Sequence, residues 1–164
     1  TCNGVRVWSL YVPNGREPDH AHYAYKLQWL AALKATAEAE LAANPDLPYA
    51  LTGDFNVAPR DEDVWDISLF ADSTHVTPPE REALADVQSI GLSEVMPRAL
   101  KGEPYTFWDY RNGAFHKGMG MRIDLILGNA PFTGAVTDAY VDREARKGKG
   151  ASDHAPVVVD LDIS

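Results

Sequence analysis

Residues 121–127 read Met-Arg-Ile-Asp-Leu-Ile-Leu, an apolar run that contains one carboxylate, Asp124. The run is too hydrophobic to face solvent, so it predicts a buried strand. A buried carboxylate without a partner costs several kcal/mol or becomes protonated, and Asp124 therefore needs a partner. Among the five histidines, His154 is the best candidate, because it follows an acid and begins the last apolar run. The alternative is a purely structural His–Asp pair.

Further strands are predicted on both sides of this run, wherever β-branched and aromatic residues cluster. They cover residues 5–11, 49–52, 105–110, 135–141 and 156–161. Helices fall mainly in the first half of the chain, so the order is mixed α and β first and mostly β afterwards. This order predicts an α+β layered domain with functional loops at the strand ends.

Three helices are predicted from capping residues and periodicity. Asp19 can cap a long helix whose apolar positions recur every three or four residues and which should stop before residues 44–45, Asn-Pro. A shorter helix is expected to start at Asp61. Residues 77–80 read Thr-Pro-Pro-Glu, a capping box that predicts a helix from Pro78 to about Ile90.

Length and composition favour a single domain over residues 1–164. The chain has 45% hydrophobic and 24% charged residues, a profile typical of one soluble globular domain. No apolar run approaches the roughly 18 residues that a membrane span needs. Cys2 is the single cysteine, so no disulfide framework exists, and a reducing, cytoplasmic compartment is expected. No obligate protein partner is indicated.

The net charge of −9 would by itself argue against a nucleic-acid partner. The cations are, however, concentrated in one loop-rich stretch of the second half. An ordinary solvated surface is the alternative reading of this stretch. The cations are Arg111, Lys117, Arg122, Arg143, Arg146, Lys147 and Lys149.

Polar clusters interrupt the predicted strands at several strand ends. Asp54 and Asn56 lie two residues apart, so in extended geometry their side chains share a face while Phe55 points into the core. An Asx-type turn or a helix cap is the alternative explanation of this motif. Asp153 should point away from His154 and is free to bind a hard cation, since Mg²⁺ typically uses one or two carboxylates plus phosphate oxygens.

Five ordered motifs that span nearly the whole chain resemble those of the exonuclease III family, the abasic-site endonucleases of the endonuclease/exonuclease/phosphatase superfamily. The motifs are YVPNG at 11–15, GDFN at 53–56, TFWDYR at 106–111, RID at 122–124 and SDHAP at 152–156. GDFN and SDHAP alone would indicate only the superfamily, whereas YVPNG and TFWDYR favour its DNA-repair branch.

The resemblance implies an α+β fold of two packed sheets flanked by helices, the four-layer αββα arrangement, of which this chain is the C-terminal part. It also implies a metal-dependent enzyme that hydrolyses phosphodiester bonds in double-stranded DNA at abasic sites and 3′ ends, with Mg²⁺ or Mn²⁺ as cofactor. Its DNA substrates would carry abasic sites or blocked 3′ ends.

By the same resemblance, Asp54 would position or deprotonate the attacking water, and Asn56 would hydrogen-bond the scissile phosphate. His154, oriented by Asp124, would stabilise the charge that develops on the phosphate oxygens. Tyr11 would contact the phosphate or the leaving group.

The family's metal and substrate contacts also map onto residues of this chain. Asp153 would help to hold the metal ion. An apolar pocket would accept an extruded, base-free sugar, which has little stacking to lose. The substrate-binding candidates are Phe107, Trp108, Arg111, Met121 and Ile123.

One family feature has no counterpart in this sequence. In the family an Asn and a metal-binding Glu precede the YVPNG motif, within an N-terminal region that also supplies strands to the two sheets. We therefore expect exposed apolar strand edges and impaired activity in this chain alone. Two other functions stay open: a superfamily phosphatase, and a non-catalytic DNA-binding domain that has kept the fold.

Overall fold

The structure is a computed structural model that describes residues 1–163. Its strands are β1 (Arg6–Tyr11), β2 (Tyr49–Asp54), β3 (Ser93–Glu94), β4 (Arg98–Ala99), β5 (Asp124–Gly128), β6 (Val136–Val141) and β7 (Val157–Leu161). Its α-helices are α1 (Ala21–Ala43), α2 (Pro78–Gln88), α3 (Ala114–Lys117) and α4 (Ala130–Gly134). Short 3₁₀ turns occur at Asp61–Asp63, Ile67–Leu69, Arg111–Gly113 and Arg143–Arg146.

The strands form two sheets, as predicted. The first has the order β1-β2-β5-β3, with β1 parallel to β2 and β5 antiparallel to both β2 and β3. The second has the order β4-β6-β7, with β6 parallel to β4 and antiparallel to β7. Helices α1 and α2 share a core with the first sheet. The α+β arrangement of two sheets with flanking helices is therefore confirmed.

Strand alternation assigns each face of the first sheet to a different core. Leu51 of β2 and Leu125 of β5 are buried in the same core as Leu30 of α1 and Leu84 of α2. The neighbouring position, Ala50, belongs instead to the core with the second sheet. Because successive side chains of a strand point to opposite faces, positions 50, 52 and 54 share the face between the sheets. This face carries the candidate site.

The predicted helices are confirmed in part. Glu80 accepts a hydrogen bond from the Thr77 main-chain N–H at 3.1 Å, so the capping box forms as predicted. The long helix is capped by His20 rather than Asp19, since the His20 Nδ1 accepts from the His22 N–H at 3.0 Å. The helix expected at Asp61 is only a 3₁₀ turn, because the Asp63 side chain binds back to the Arg60 N–H at 3.0 Å and closes it.

The strand predicted for residues 105–110 is wrong. Of these residues only Phe107 pairs in a ladder, through isolated bridges to Met121 and His154. The ladder ends because Asp109 accepts from the Arg111 N–H at 2.8 Å, which closes a turn directly after Trp108. The aromatic residues that suggested a strand are instead core and pocket side chains.

One sheet edge exposes apolar surface, as expected. β1 is the edge of the first sheet, and its Val7, opposite Ala50 on the face between the sheets, is 49% exposed. No helix among residues 1–163 is long and apolar enough to cross a bilayer.

Candidate active site

The site lies where the C-terminal end of β2 meets the N-terminal end of β5. In the antiparallel register Asp54 is directly opposite Asp124, and in the parallel register Tyr11 of β1 is opposite Asp54. Gly53 permits this approach, because its φ is +130° and a Cβ there would lie 2.1 Å from the Leu10 carbonyl oxygen. The sheet register therefore brings together three of the predicted catalytic residues.

His154 reaches the site from the loop that precedes β7. Its main chain bridges to Phe107, and the neighbouring Trp108 N–H donates to the Asp153 carbonyl at 3.0 Å. The His154 Nδ1 lies 2.8 Å from an Asp124 carboxylate oxygen, so the predicted hydrogen bond between them is confirmed. The bond to Asp124 is the main cause that raises the pKa of His154.

The second imidazole nitrogen of His154 faces the other carboxylate. With Nδ1–H donated to Asp124, Nε2 is 4.0 Å from an Asp54 oxygen. Burial, followed by the charge of Asp124, raises the pKa of Asp54 to about 6. A carboxylate with a pKa this close to neutrality is suited to accept a proton, as a general base must.

Asp54 is held by a tight turn. Its carboxylate accepts from the Asn56 main-chain N–H at 2.8 Å, and Asn56 adopts a φ of +50°. Phe55, fully buried, points into the core as predicted and donates its N–H to the Ile123 carbonyl at 2.9 Å. The Asx-type turn therefore forms, and the two side chains meet through this turn rather than through the extended geometry that the sequence suggested.

Asn56 does not offer its side chain to a substrate. The residue is only 3% exposed. Its amide nitrogen donates to the Val12 carbonyl at 2.8 Å and to Asp54 at 3.2 Å, and its amide oxygen accepts from Asn14 at 3.2 Å. Both amide protons are thus used within the protein. In this structure Asn56 positions Asp54, and its hydrogen bond to a phosphate stays a prediction.

A buried polar cluster beneath the turn was missed by sequence reasoning. Lys26, fully buried on α1, donates to the Asn56 carbonyl at 2.6 Å and pairs with Glu80 at 2.5 Å. The His75 Nδ1 also lies 2.6 Å from the Asn56 carbonyl oxygen. A signal existed, because Lys26 falls between Tyr23 and Leu30 on the buried face of the helix.

Phe107 lies beside the His154 ring, and its main chain also pairs with that of Met121. The Phe107 and His154 ring centroids are 5.0 Å apart, and the Phe107 and Met121 main chains bridge. Both side chains line a cleft of about 360 Å³ that also includes Trp65, Phe70 and Arg111. The structure thus provides an apolar cleft at the predicted place.

Two of the predicted substrate-binding side chains are buried, and their contact with a substrate stays a prediction. Trp108 is 1% exposed and packs edge-on against Phe115, because it alternates with Phe107 and points away from the cleft. Ile123 is 2% exposed and lies in the core behind Met121. Neither side chain is accessible to a substrate in this structure.

Tyr11 and Arg111 are the most accessible of the predicted site residues. Tyr11 is 68% exposed at the end of β1. The Arg111 side chain is 83% exposed and pairs with Asp109 at 2.6 Å. Both can therefore reach a ligand without rearrangement of the core.

A sequence profile described as the Endonuclease/Exonuclease/phosphatase family matches residues 2–154. The chain belongs to this family. Among curated relatives, an exodeoxyribonuclease of Bacillus subtilis is 28% identical over an alignment of 162 positions, which covers 97% of this chain and 61% of that protein. An exodeoxyribonuclease III of Haemophilus influenzae is 25% identical over an alignment of 165 positions, which covers 93% of this chain and 60% of that protein.

Solved structures agree with this membership. A Neisseria 3′ phosphatase bound to a product DNA hairpin superimposes with a TM-score of 0.91 and 35% identity, covering 98% of this chain and 62% of that one. An AP endonuclease from Archaeoglobus fulgidus gives a TM-score of 0.87 and 32% identity, and the match covers 96% of this chain and 61% of that one. The chain thus spans about three-fifths of the length of these Endonuclease/Exonuclease/phosphatase family members.

The metal dependence of this family's nucleases raises the question of which residues here could hold a cation. Asp153, half-buried beside His154, offers one carboxylate. Within residues 1–163 no three His, Cys, Asp or Glu side chains are grouped so that they could hold a metal ion. Since Mg²⁺ is commonly bound by one or two carboxylates together with substrate phosphates, the described residues supply only part of a metal site.

Proposed function

We propose that this chain carries the proton-transfer and phosphate-binding part of a DNA-repair nuclease active site. The reaction is hydrolysis of phosphodiester bonds in double-stranded DNA at abasic sites and blocked 3′ ends. The observation that carries the proposal is the constellation of Asp124, His154 and Asp54, in which one imidazole joins two carboxylates with distances of 2.8 and 4.0 Å. Family membership and the DNA-processing relatives support it.

Asp54, His154 and Tyr11 have different roles in the proposed hydrolysis. Asp54, with a pKa of about 6, takes a proton from the attacking water. His154 keeps its Nδ1–H on Asp124, so its Nε2 is directed at the phosphate and can donate to an oxygen that gains charge. The exposed Tyr11 hydroxyl contacts the same phosphate. Asp54 and His154 are held by the protein before substrate binds, which reduces reorganisation during the reaction.

The substrate end of the site is apolar. Phe107 and Met121 line a cleft next to His154 that can take a base-free sugar. An abasic nucleotide leaves the stack at low cost, whereas an intact nucleotide must also bring its base. Arg111, at the rim of the same cleft, is placed to contact a backbone phosphate.

Mg²⁺ or Mn²⁺ is the cofactor we propose, with Asp153 as one ligand. A divalent cation, when bound, supplies Lewis-acid stabilisation of phosphate charge. We propose the cytoplasm as the compartment, since the single cysteine, Cys2, is an exposed free thiol.

The test is incision of duplexes that carry an abasic site, a 3′-phosphate or neither, in the presence of Mg²⁺, Mn²⁺ or a chelator. The protein to assay is the complete gene product, meaning this chain with any sequence that precedes Thr1. We expect metal-dependent cleavage of the first two substrates and a loss of about 10²- to 10³-fold for His154→Asn. Asp86→Asn, an exposed change on α2, is the matched control.

A non-catalytic DNA-binding domain is the second candidate, since Asp153 is the one carboxylate proposed here as a ligand of the cation. It predicts that the complete gene product binds abasic duplex but leaves it intact with either metal. Cleavage that survives His154→Asn would instead contradict the assigned constellation.

A further inference from the structure

A second cleft, of about 570 Å³, lies next to the Phe107 cleft and is lined mostly by cations and aromatic rings. It runs between the turn that follows Trp108 and the 3₁₀ turn at residues 143–146. Asp109 and Ala114 line both clefts, so the two adjoin. Its cationic and aromatic lining residues include Lys101, Tyr110, Phe115, Arg143, Arg146 and Lys147, and Asp109 adds one carboxylate.

Two arginines are built into the wall of this second cleft. The Arg143 guanidinium stands 4.2 Å from the Phe115 ring centroid and donates to the Phe115 carbonyl at 3.0 Å. The Arg146 guanidinium stands 5.0 Å from the Tyr110 centroid and donates to the Trp108 carbonyl at 3.2 Å. These contacts fix both guanidiniums before any ligand arrives.

Neither arginine has a carboxylate partner within residues 1–163, in contrast to most arginines of this acidic chain. Of the carboxylates nearest in sequence, Asp142 accepts from the Ala145 N–H and Glu144 pairs with Lys147. Asp109, which lines the cleft, pairs with Arg111. Arg146 is only 9% exposed, and its Nε–H has no hydrogen-bond acceptor in the described part of the chain. A buried, unsatisfied donor on an unpaired cation is costly, and a bound anion would remove that cost.

We propose that this cleft binds a phosphate group of a nucleotide. The planar fork of Arg N–H donors matches phosphate oxygens, and two arginines held on aromatic rings form a preorganised binding site for one phosphate. The site is distinct from the Asp54–His154 site and contributes no group to the reaction.

Tyr110 indicates that the phosphate arrives with a base. Its ring is 64% exposed, its hydroxyl donates to the Ala151 carbonyl at 2.9 Å, and Arg146 covers part of the ring. A fixed, exposed aromatic ring beside cations is the arrangement on which unpaired bases stack. Since the second cleft adjoins the Phe107 cleft, the nucleotide source that fits is the strand leaving the active site. That choice of source rests on the proposed function, whereas the phosphate site does not.

The phosphate site is tested by NMR on the 164-residue chain. Inorganic phosphate is titrated while the Arg146 Nε–H resonance is followed, with chloride at equal ionic strength as the reference. We expect a saturable shift with phosphate and none with chloride. An unchanged resonance would overturn the proposal.

Binding measurements then identify the source of the phosphate. Anisotropy of a labelled single-stranded oligonucleotide is measured against salt for Arg143→Met and for the control Arg98→Met, which removes the same charge from an exposed pair on β4. Loss of one phosphate contact should make the slope of log affinity against log salt shallower by about 0.7 for Arg143→Met only. A free mononucleotide is titrated in a parallel experiment. Equal slopes for both variants, together with a phosphate-induced NMR shift, would assign the site to this mononucleotide instead of to a DNA strand.

Two further variants keep the test decisive. Lys101→Met changes an exposed side chain of the second cleft and replaces Arg143→Met if that variant does not fold. Tyr110→Leu should weaken oligonucleotide binding while leaving the phosphate-induced NMR shift intact, and loss of both would contradict a separate base platform. All readouts are of binding, so a protein that proves unable to cleave DNA would refute the proposed function without affecting this result.

Discussion

Replacing Asp54 by Asn should make the folded chain more stable at neutral pH, although it removes the proposed general base. Burial and the facing charge of Asp124 raise the pKa of Asp54 from 3.8 to about 6. The folded state therefore binds the Asp54 proton more tightly than the unfolded state does. Between pH 3.8 and about 6 the stability contributed by this group falls as the pH rises, and it stays low above that range.

The size of the effect follows from the difference between the two pKa values. A pKa shift of one unit corresponds to about 1.4 kcal/mol. The ionised Asp54 therefore lowers the free energy of unfolding at pH 7 by at most about 3 kcal/mol. The Asp54 side chain is 13% exposed, so solvent screens it little. Asn keeps an oxygen for the Asn56 N–H and gains a donor that can face Asp124. We expect a gain of about 1 to 3 kcal/mol at pH 7.

Urea unfolding of the 164-residue chain between pH 4 and pH 8, with a chelator present, measures this directly. The increase in the free energy of unfolding for Asp54→Asn should be full above about pH 6. It should vanish near pH 4, where the folded and the unfolded wild-type chain both hold the Asp54 proton. Asp86→Asn, which changes an exposed carboxylate on α2, should show no such dependence. A variant that is less stable at pH 7, or a gain equal at every pH, would refute the assignment of a strained carboxylate at position 54.

Three further predictions test the remaining parts of the site. Lys26→Met should cost about 3 to 5 kcal/mol in urea unfolding because it leaves Glu80 buried and unpaired, and the double change with Glu80→Gln should cost less than either alone; additive losses would contradict the pairing. In the complete gene product, Phe107→Ala should enlarge the apolar cleft and raise incision of intact relative to abasic duplex, whereas Arg111→Ala should weaken binding to both equally. An unchanged ratio for Phe107→Ala would mark it as a packing residue. Asp124→Asn should lower the incision rate by about 10²- to 10⁴-fold, since His154 then loses its orienting acceptor; near-normal turnover would remove that role.

The catalytic pair was predictable from sequence because a carboxylate in an apolar strand must have a partner. Asp124 interrupts residues 121–127, and His154 was the available partner next to another apolar run. Strand alternation likewise predicted that Phe55 points into the core while Asp54 faces the opposite side of the strand. In each case the inference used only the local period of a strand and the cost of burying charge.

Features that depend on long-range contacts were not predictable in the same way. Trp108 and Phe107 look alike as strand residues, and only the position of Phe115 decides which ring is buried. The free amide expected of Asn56 is taken up by Val12 and Asn14, which are distant in sequence. Local patterns identified the residues that gather at the site, but not which of their donors stay free for a substrate.

The register of the first sheet connects the stability of the fold to the geometry of the site. Leu51 and Leu125 pack against the helices, so Asp54 and Asp124, at odd spacing from them, face the gap between the sheets. A slip of one residue would turn both carboxylates into the helix-side core and expose the leucines instead. The apolar core therefore enforces the close approach of the two acids, and this approach, together with burial, raises the pKa of Asp54. The packing of α1 and α2 thus maintains a carboxylate arrangement that would be unfavourable on its own.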